Sequence, residues 1–270
     1  MNSDPTVAFT QTNGGDNRPV FTGQSIDPTY TAIYLGSNTS EGFAYNLTGT
    51  IAKNFPFGLN LFAAYSFGDS EAIFEGTSSQ NSSQWRGAFT TDGRNNAQLG
   101  RSDFALGSRI IGSAGYNIDW NKRGNFNTNI SLFYNGQTGD LFSYVYNGGD
   151  AENFNNETGS TGRNRSLIWV PATSSDIMLI DDGDVTAAEQ WAMLDEFINE
   201  DSYLSTRRGQ YAEKNSNRTP FTHQFDLRIA QDLGFNVGGR GNKLQLSIDI
   251  FNVANPVSYT HLTLPTICGV

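Results

Sequence analysis

The chain has 270 residues, a formal net charge of −10 and a pI of about 4.6, a balance that argues against a protein built to neutralise a phosphate backbone. Hydrophobic residues make up 37% while aromatics reach 13% and glycines number 29, which suits strands joined by polar loops and suits a helical core poorly. One cysteine and two histidines leave little room for thiol catalysis, tetrahedral zinc or a Ser-His-Asp triad.

At this length the chain is one large all-β unit or two ordinary domains. No apolar run approaches the roughly 18 residues of a membrane helix. Barrel strands escape such a search, being about 10 residues long and apolar on one face only. Residues 1–19 carry neither the basic start nor the apolar centre of a signal peptide. The expectation is therefore a cytosolic protein or a longer reading frame upstream.

The first strong pattern is EGFAYNLTGTIAKNF (41–55), which puts Phe43, Tyr45, Leu47, Ile51 and Phe55 on one face. Period two is the signature of a strand. Lys53 shares that face but lies near an end, where its long stem can snorkel. After a turn at 56–58, LNLFAAYSFGDS continues with Leu59, Leu61, Ala63, Tyr65 and Phe67. In SDFALGSRIIGSAGYNIDW (102–120), Phe104, Leu106, Ile110, Ala114, Tyr116, Ile118 and Trp120 oppose Asp103, Arg109, Ser113, Asn117 and Asp119. The turn NKRG (121–124) leads to NFNTNISLFYNG, where Phe126, Ile130, Leu132 and Tyr134 oppose Asn127, Asn129, Ser131 and Asn135.

Next comes a long loop, roughly 147–219, with structure of its own. TAAEQWAMLDEFINE opens with Thr186 and Glu189 as a capping box and spaces Trp191, Leu194 and Ile198 as a helix does. A short helix packed on the mouth of the fold is expected, mainly folding the loop onto itself; ligand recognition by Trp191 is the sharper alternative. Asp181, Asp182 and Asp184 cluster just before it. Their order does not match an EF-hand, and a solvated acidic loop is the reading adopted.

Alternation then resumes. PFTHQFDLRIAQDLGF sets Phe221, Phe225, Leu227 and Ile229 against Gln224, Asp226 and Arg228. His223 falls on the apolar face near the outer end and reads as an interfacial residue. Past GGRGN (238–242), a turn with no phosphate-binding spacing around it, KLQLSIDIFN sets Leu244, Leu246, Ile248 and Ile250 against Gln245, Ser247 and Asp249.

A soluble sandwich alternates too. Two features favour a membrane barrel. The runs are about twice the usual 5–6 residues. The connections at 56–58, 121–124 and 238–242 are short, whereas those at 69–101 and 147–219 are long, the asymmetry of outer-membrane barrels. Aromatics near the ends (Phe55, Trp120 and Phe126 at the turns; Tyr65, Phe67 and Phe104 at the loops) would form two girdles.

Several segments together carry a resemblance: NTSEGFAYNLTGTIAKNF, GTSSQNSSQWRGAFTTDGRNNAQLGRSDFALGSRII, SLIWVPATSSDIMLIDDGD, YLSTRRGQYAEKNSNRTPFTHQFDLRIAQDL and NKLQLSIDIFNVAN. Over nearly all of residues 20–255 the chain resembles the C-terminal barrel of TonB-dependent outer-membrane receptors, the Oar-like branch in particular. The resemblance implies an all-β fold, the C-terminal part of an antiparallel transmembrane barrel of about 22 strands around a plug. About six of those strands fall in this chain and would make an open curved sheet. It also implies location in the bacterial outer membrane, contact with its lipid, and energised uptake of a large, scarce ligand through the TonB complex acting on the plug. A surface lipoprotein is a further implied partner, and nucleic acid is not one. The ligand is left open.

The chain departs from that family at both ends. There is no plug, TonB box, signal peptide or carboxypeptidase-regulatory-like domain, so Met1 is read as lying inside a longer protein. At the other end the expected closing strand is replaced. A DNA string encoding residues 257–266 resembles the transposon end and adapter used in preparing sequencing libraries. The division expected is a partial barrel over 1–256 and a non-native read-through tail over 257–270, which holds His261 and Cys268.

Arg109, Gln224, Asp226, Arg228 and Asp249 lie on the polar faces, where opposite charges on neighbouring strands could pair. Holding the plug is the role expected first, lining a ligand path second. No catalytic residue, cofactor or metal is expected. The alternative is a secreted or surface adhesin or carbohydrate-binding module, whose apolar faces would pack on a second sheet. A β-rich hydrolase would need two carboxyl groups converging at about 5–10 Å, and no feature of the sequence points to that. In water, two unpaired edges and a bare apolar belt should cause aggregation.

Overall fold

A computed structural model of the chain describes residues 7–8, 15–21, 27, 29–30, 33–121, 126–146, 155, 165–237 and 240–253. The tail at 257–270 and parts of the turns at 121–124 and 238–242 lie outside the described residues. Among the described residues the architecture is mostly antiparallel β-sheet with two α-helices and a few short 3-10 turns. Six long strands dominate: β1 (Phe43–Asn54), β2 (Leu59–Ala72), β3 (Gly107–Asp119), β4 (Phe126–Gln137), β5 (Thr222–Val237) and β6 (Arg240–Ile250). Each pairs with its neighbour in sequence, so the sheet is an up-and-down meander. A short strand, Gly100–Arg101, adds to the loop end of β2.

The register brings the six expected apolar faces onto one surface. Ile51 pairs with Ala63, Leu61 with Ala114, Ala114 with Leu132, Leu132 with Leu227, and Leu227 with Ile250. A slip of one residue anywhere would turn a whole strand inside out. Leu47 (73% exposed), Ile51 (72%) and Ile248 (63%) show how bare this surface is. An apolar face running across six strands exceeds the few hundred Å² that a soluble monomer usually exposes.

The opposite surface is polar along most of its length. A row of paired residues crosses it as Ala52, Phe62, Ser113, Phe133 and Asp226. The row starts two residues from the turn end of β1 and finishes four residues from the loop end of β5. The strands are thus strongly staggered, as inclined barrel strands are. The tight β1–β2 turn needs Gly58: its φ is +96°, and a Cβ there would lie 2.5 Å from the Asn117 carbonyl oxygen.

The long loops build a second layer of structure at one end of the sheet. Helix α1 (Asn81–Arg86) was not foreseen. Helix α2 (Ala187–Glu200) begins where expected: Thr186 Oγ1 accepts from the Glu189 amide, and the Glu189 carboxylate accepts from the Thr186 amide at 2.8 Å. Its Ile198 is buried against Val170 and Leu204, with Leu194, Phe197, Tyr144 and Tyr203 around them. The core of α2 is thus made with other loop residues. Trp191 is half-buried and stands outside that core cluster.

Candidate functional site

Two surfaces concentrate chemistry. On the polar face of the sheet, Arg228 and Asp249 sit directly across from each other on β5 and β6 and form an ion pair at 3.6 Å. Arg109 donates to Asn135 Oδ1 at 3.0 Å on the neighbouring strand. Gln224 donates to both Asp226 oxygens at 3.1 Å, and Asp226 also accepts from the Asn252 amide at 2.8 Å. All five expected residues therefore share this face, and four are linked in pairs. A groove of about 490 Å³ borders the Arg228–Asp249 pair, Phe62 and Phe133. Those two aromatics were not anticipated, although Phe62 breaks the alternation of LNLFAAYSF visibly.

The acidic loop residues play a local part. Asp181 Oδ1 accepts from the Ala187 amide at 2.7 Å, adding a second cap to α2. Asp182 closes a small bridge with Val185 through the backbone. Asp184 is exposed. Trp191 and these three aspartates are not among the described residues around the main cavity.

That cavity, about 720 Å³, lies at the loop end of the sheet between segments 71–101, 167–169 and 203–216. Its size suits a small-molecule or peptide-segment ligand. One wall is the Trp169–Tyr211 pair, packed edge to face with centroids 5.0 Å apart. Behind Tyr211 lies a fully buried ion pair, Arg18 Nη2 to Asp16 Oδ2 at 3.0 Å. Arg18 also donates to the Leu167 carbonyl at 2.8 Å and places its guanidinium 5.0 Å from the Tyr211 ring centre. Tyr211 Oη donates to Asp16 at 2.8 Å. Burial pushes the Tyr211 phenol up, and the Asp16 carboxylate that accepts its proton pushes it further. Tyr211 is thus held from behind by the Asp16 carboxylate and the Arg18 guanidinium.

A second buried pair braces the cavity. Lys214 and Glu75 are in direct contact, with side chains 10% and 11% exposed. Glu75 also accepts from Ser102 Oγ at 2.6 Å and from the Asp103 amide at 3.1 Å. Burial alone would raise the Glu75 carboxyl; these donors outweigh it and hold it below the ordinary glutamate value of 4.5.

The cavity also keeps groups unused. Thr90, Trp169 and Ser216 line it, and their buried Oγ1, Nε1 and Oγ atoms have no hydrogen-bond partner among the described residues; Thr90 is 3% exposed. Each such group costs about 1–3 kcal/mol when left unsatisfied. Nothing in the local sequence announces this site, because its walls come from three separate segments, the first and last more than a hundred positions apart. No family model, curated protein or solved structure matches this chain.

Proposed function

We propose that the six strands form part of the wall of an outer-membrane transport barrel of the TonB-dependent receptor class, Oar-like branch. The single observation that carries this reading is the apolar surface: six strands in register, bare, and free of charge at mid-strand. In hydrocarbon such a surface is satisfied, whereas a charge at mid-depth would cost about 2–4 kcal/mol. The polar surface then faces an enclosed channel, where Arg109, Gln224, Asp226, Arg228 and Asp249 hold a plug or line a ligand path. The outer edges of β1 and β6, unpaired among the described residues, pair with further strands of a barrel of about 22. The loop layer sits outside the cell, within reach of a surface lipoprotein. TonB, pulling on the plug, would drive uptake of a large ligand. The work is binding and translocation.

The test is fractionation and gel migration. The protein should leave an envelope fraction only with detergent and migrate differently before and after boiling. A chain that stays monodisperse and melts cooperatively without detergent overturns the reading and favours an adhesin-like module.

A further inference from the structure

We propose that the 720 Å³ loop-end cavity is a recognition site for a basic peptide segment, a reading that deepens the transport function and rests on it for its biological sense. Three observations converge. First, the cavity's cations are already used: Arg101 pairs with Asp69 at 3.3 Å, Arg207 with Glu213 at 3.1 Å, and Lys214 with Glu75. Glu71 and Asp92, both half-buried in the lining, have no ion pair among the described residues. The free charge of the site is negative, and a ligand that removes water from it must bring a cation.

Second, Thr90, Trp169 and Ser216 line the cavity, and their buried Oγ1, Nε1 and Oγ atoms have no hydrogen-bond partner among the described residues, Thr90 being almost wholly buried. Trp169 Nε1 can only donate. Thr90 and Ser216 can donate as well, so acceptor oxygens would satisfy all three. A peptide backbone supplies such carbonyls at regular intervals. Third, the Trp169–Tyr211 pair offers an aromatic surface held from behind by Asp16 and Arg18. Aromatic faces attract lysine and arginine side chains. A neutral glycan would use the aromatics and the hydroxyls but leave two desolvated carboxylates without a countercharge. An acidic ligand would be repelled.

The experiment is calorimetric titration of the full chain in detergent micelles with the tripeptide Lys-Ala-Lys, and with Glu-Ala-Glu and maltotriose as comparisons. Lys-Ala-Lys should bind alone among the three. Its affinity should fall about tenfold or more in the Glu71→Gln, Asp92→Asn double variant, and also when salt rises from about 50 mM to about 500 mM. Trp169→Phe keeps an aromatic wall and removes one donor; it should weaken binding several-fold with little change in salt dependence. Equal affinity for Lys-Ala-Lys and Glu-Ala-Glu, a preference for maltotriose, or no heat from Lys-Ala-Lys would each overturn the assignment. Boiling-dependent gel migration of the same sample separates the two ideas: a heat-modifiable chain that ignores Lys-Ala-Lys refutes the ligand and leaves the barrel standing.

Discussion

Lys214 and Glu75 stand 139 positions apart in the chain, yet their side chains meet in a contact only about one-tenth exposed. They tie the segment that precedes β5 to the loop that follows β2. Asn215, next to Lys214, extends the tie by donating to the Arg101 carbonyl at 2.9 Å and Asp103 Oδ1 at 2.6 Å.

Removing one partner should therefore cost far more than a surface ion pair would. Lys214→Met leaves the Glu75 carboxylate buried without its cation, and a loss of about 3 kcal/mol is expected for the loop layer. Amide exchange should accelerate around Asn215 and Ser102 while the middle of β5 stays protected.

The same pair sets a pH response. Glu75 is held below its ordinary value of 4.5 in the folded protein. A depressed carboxyl contributes stability that is fully present above the unfolded value and is lost as pH falls through the folded one. The loop layer should loosen in acid below about pH 4, as followed by amide exchange at Asn215. In Glu75→Gln that acid transition should be smaller.

Capping makes a more local prediction. In Thr186→Ala, α2 loses the hydroxyl that accepts from the Glu189 amide and that meets Glu189 Oε2 at 2.7 Å. Helix starts depend on such acceptors. Exchange of the first-turn amides should speed up, while Ile198, buried at 2% exposure against Val170, should keep the last turns protected.

These contrasts follow what the sequence could and could not reveal. The strands were legible because Leu132, Leu227 and Ile250 each sit on an apolar face that repeats every second residue, and the register lines them up across the sheet. Helix α2 was legible from the Thr186–Glu189 capping box, complete within four residues, and from the helical spacing of Trp191, Leu194 and Ile198. The polar-face pairing of Arg228 with Asp249 was also within reach, since a turn joins the two strands. The cavity was not. Asp16 meets Tyr211 across 195 positions, and Arg18 meets Leu167 across 149. No local period encodes such contacts; they exist only once the sheet has brought the long loops to the same end. Phe62 and Phe133 were passed over for a different reason: aromatics on a face otherwise polar look like noise until the register sets them either side of Ser113.

The central claim is that the apolar surface faces lipid, and adjacent residues on β4 test it most directly. Leu132 and Ser131 point to opposite faces near the middle of the strand. In a Cys268→Ser background, nitroxide labels at Leu132→Cys and Ser131→Cys would be compared in lipid vesicles by collision with oxygen and with a water-soluble nickel chelate. The account predicts that the label at 132 meets oxygen and not nickel, and that the label at 131 favours nickel. Equal access of nickel to both positions, or a label at 132 shielded from both reagents by packed protein, would contradict it.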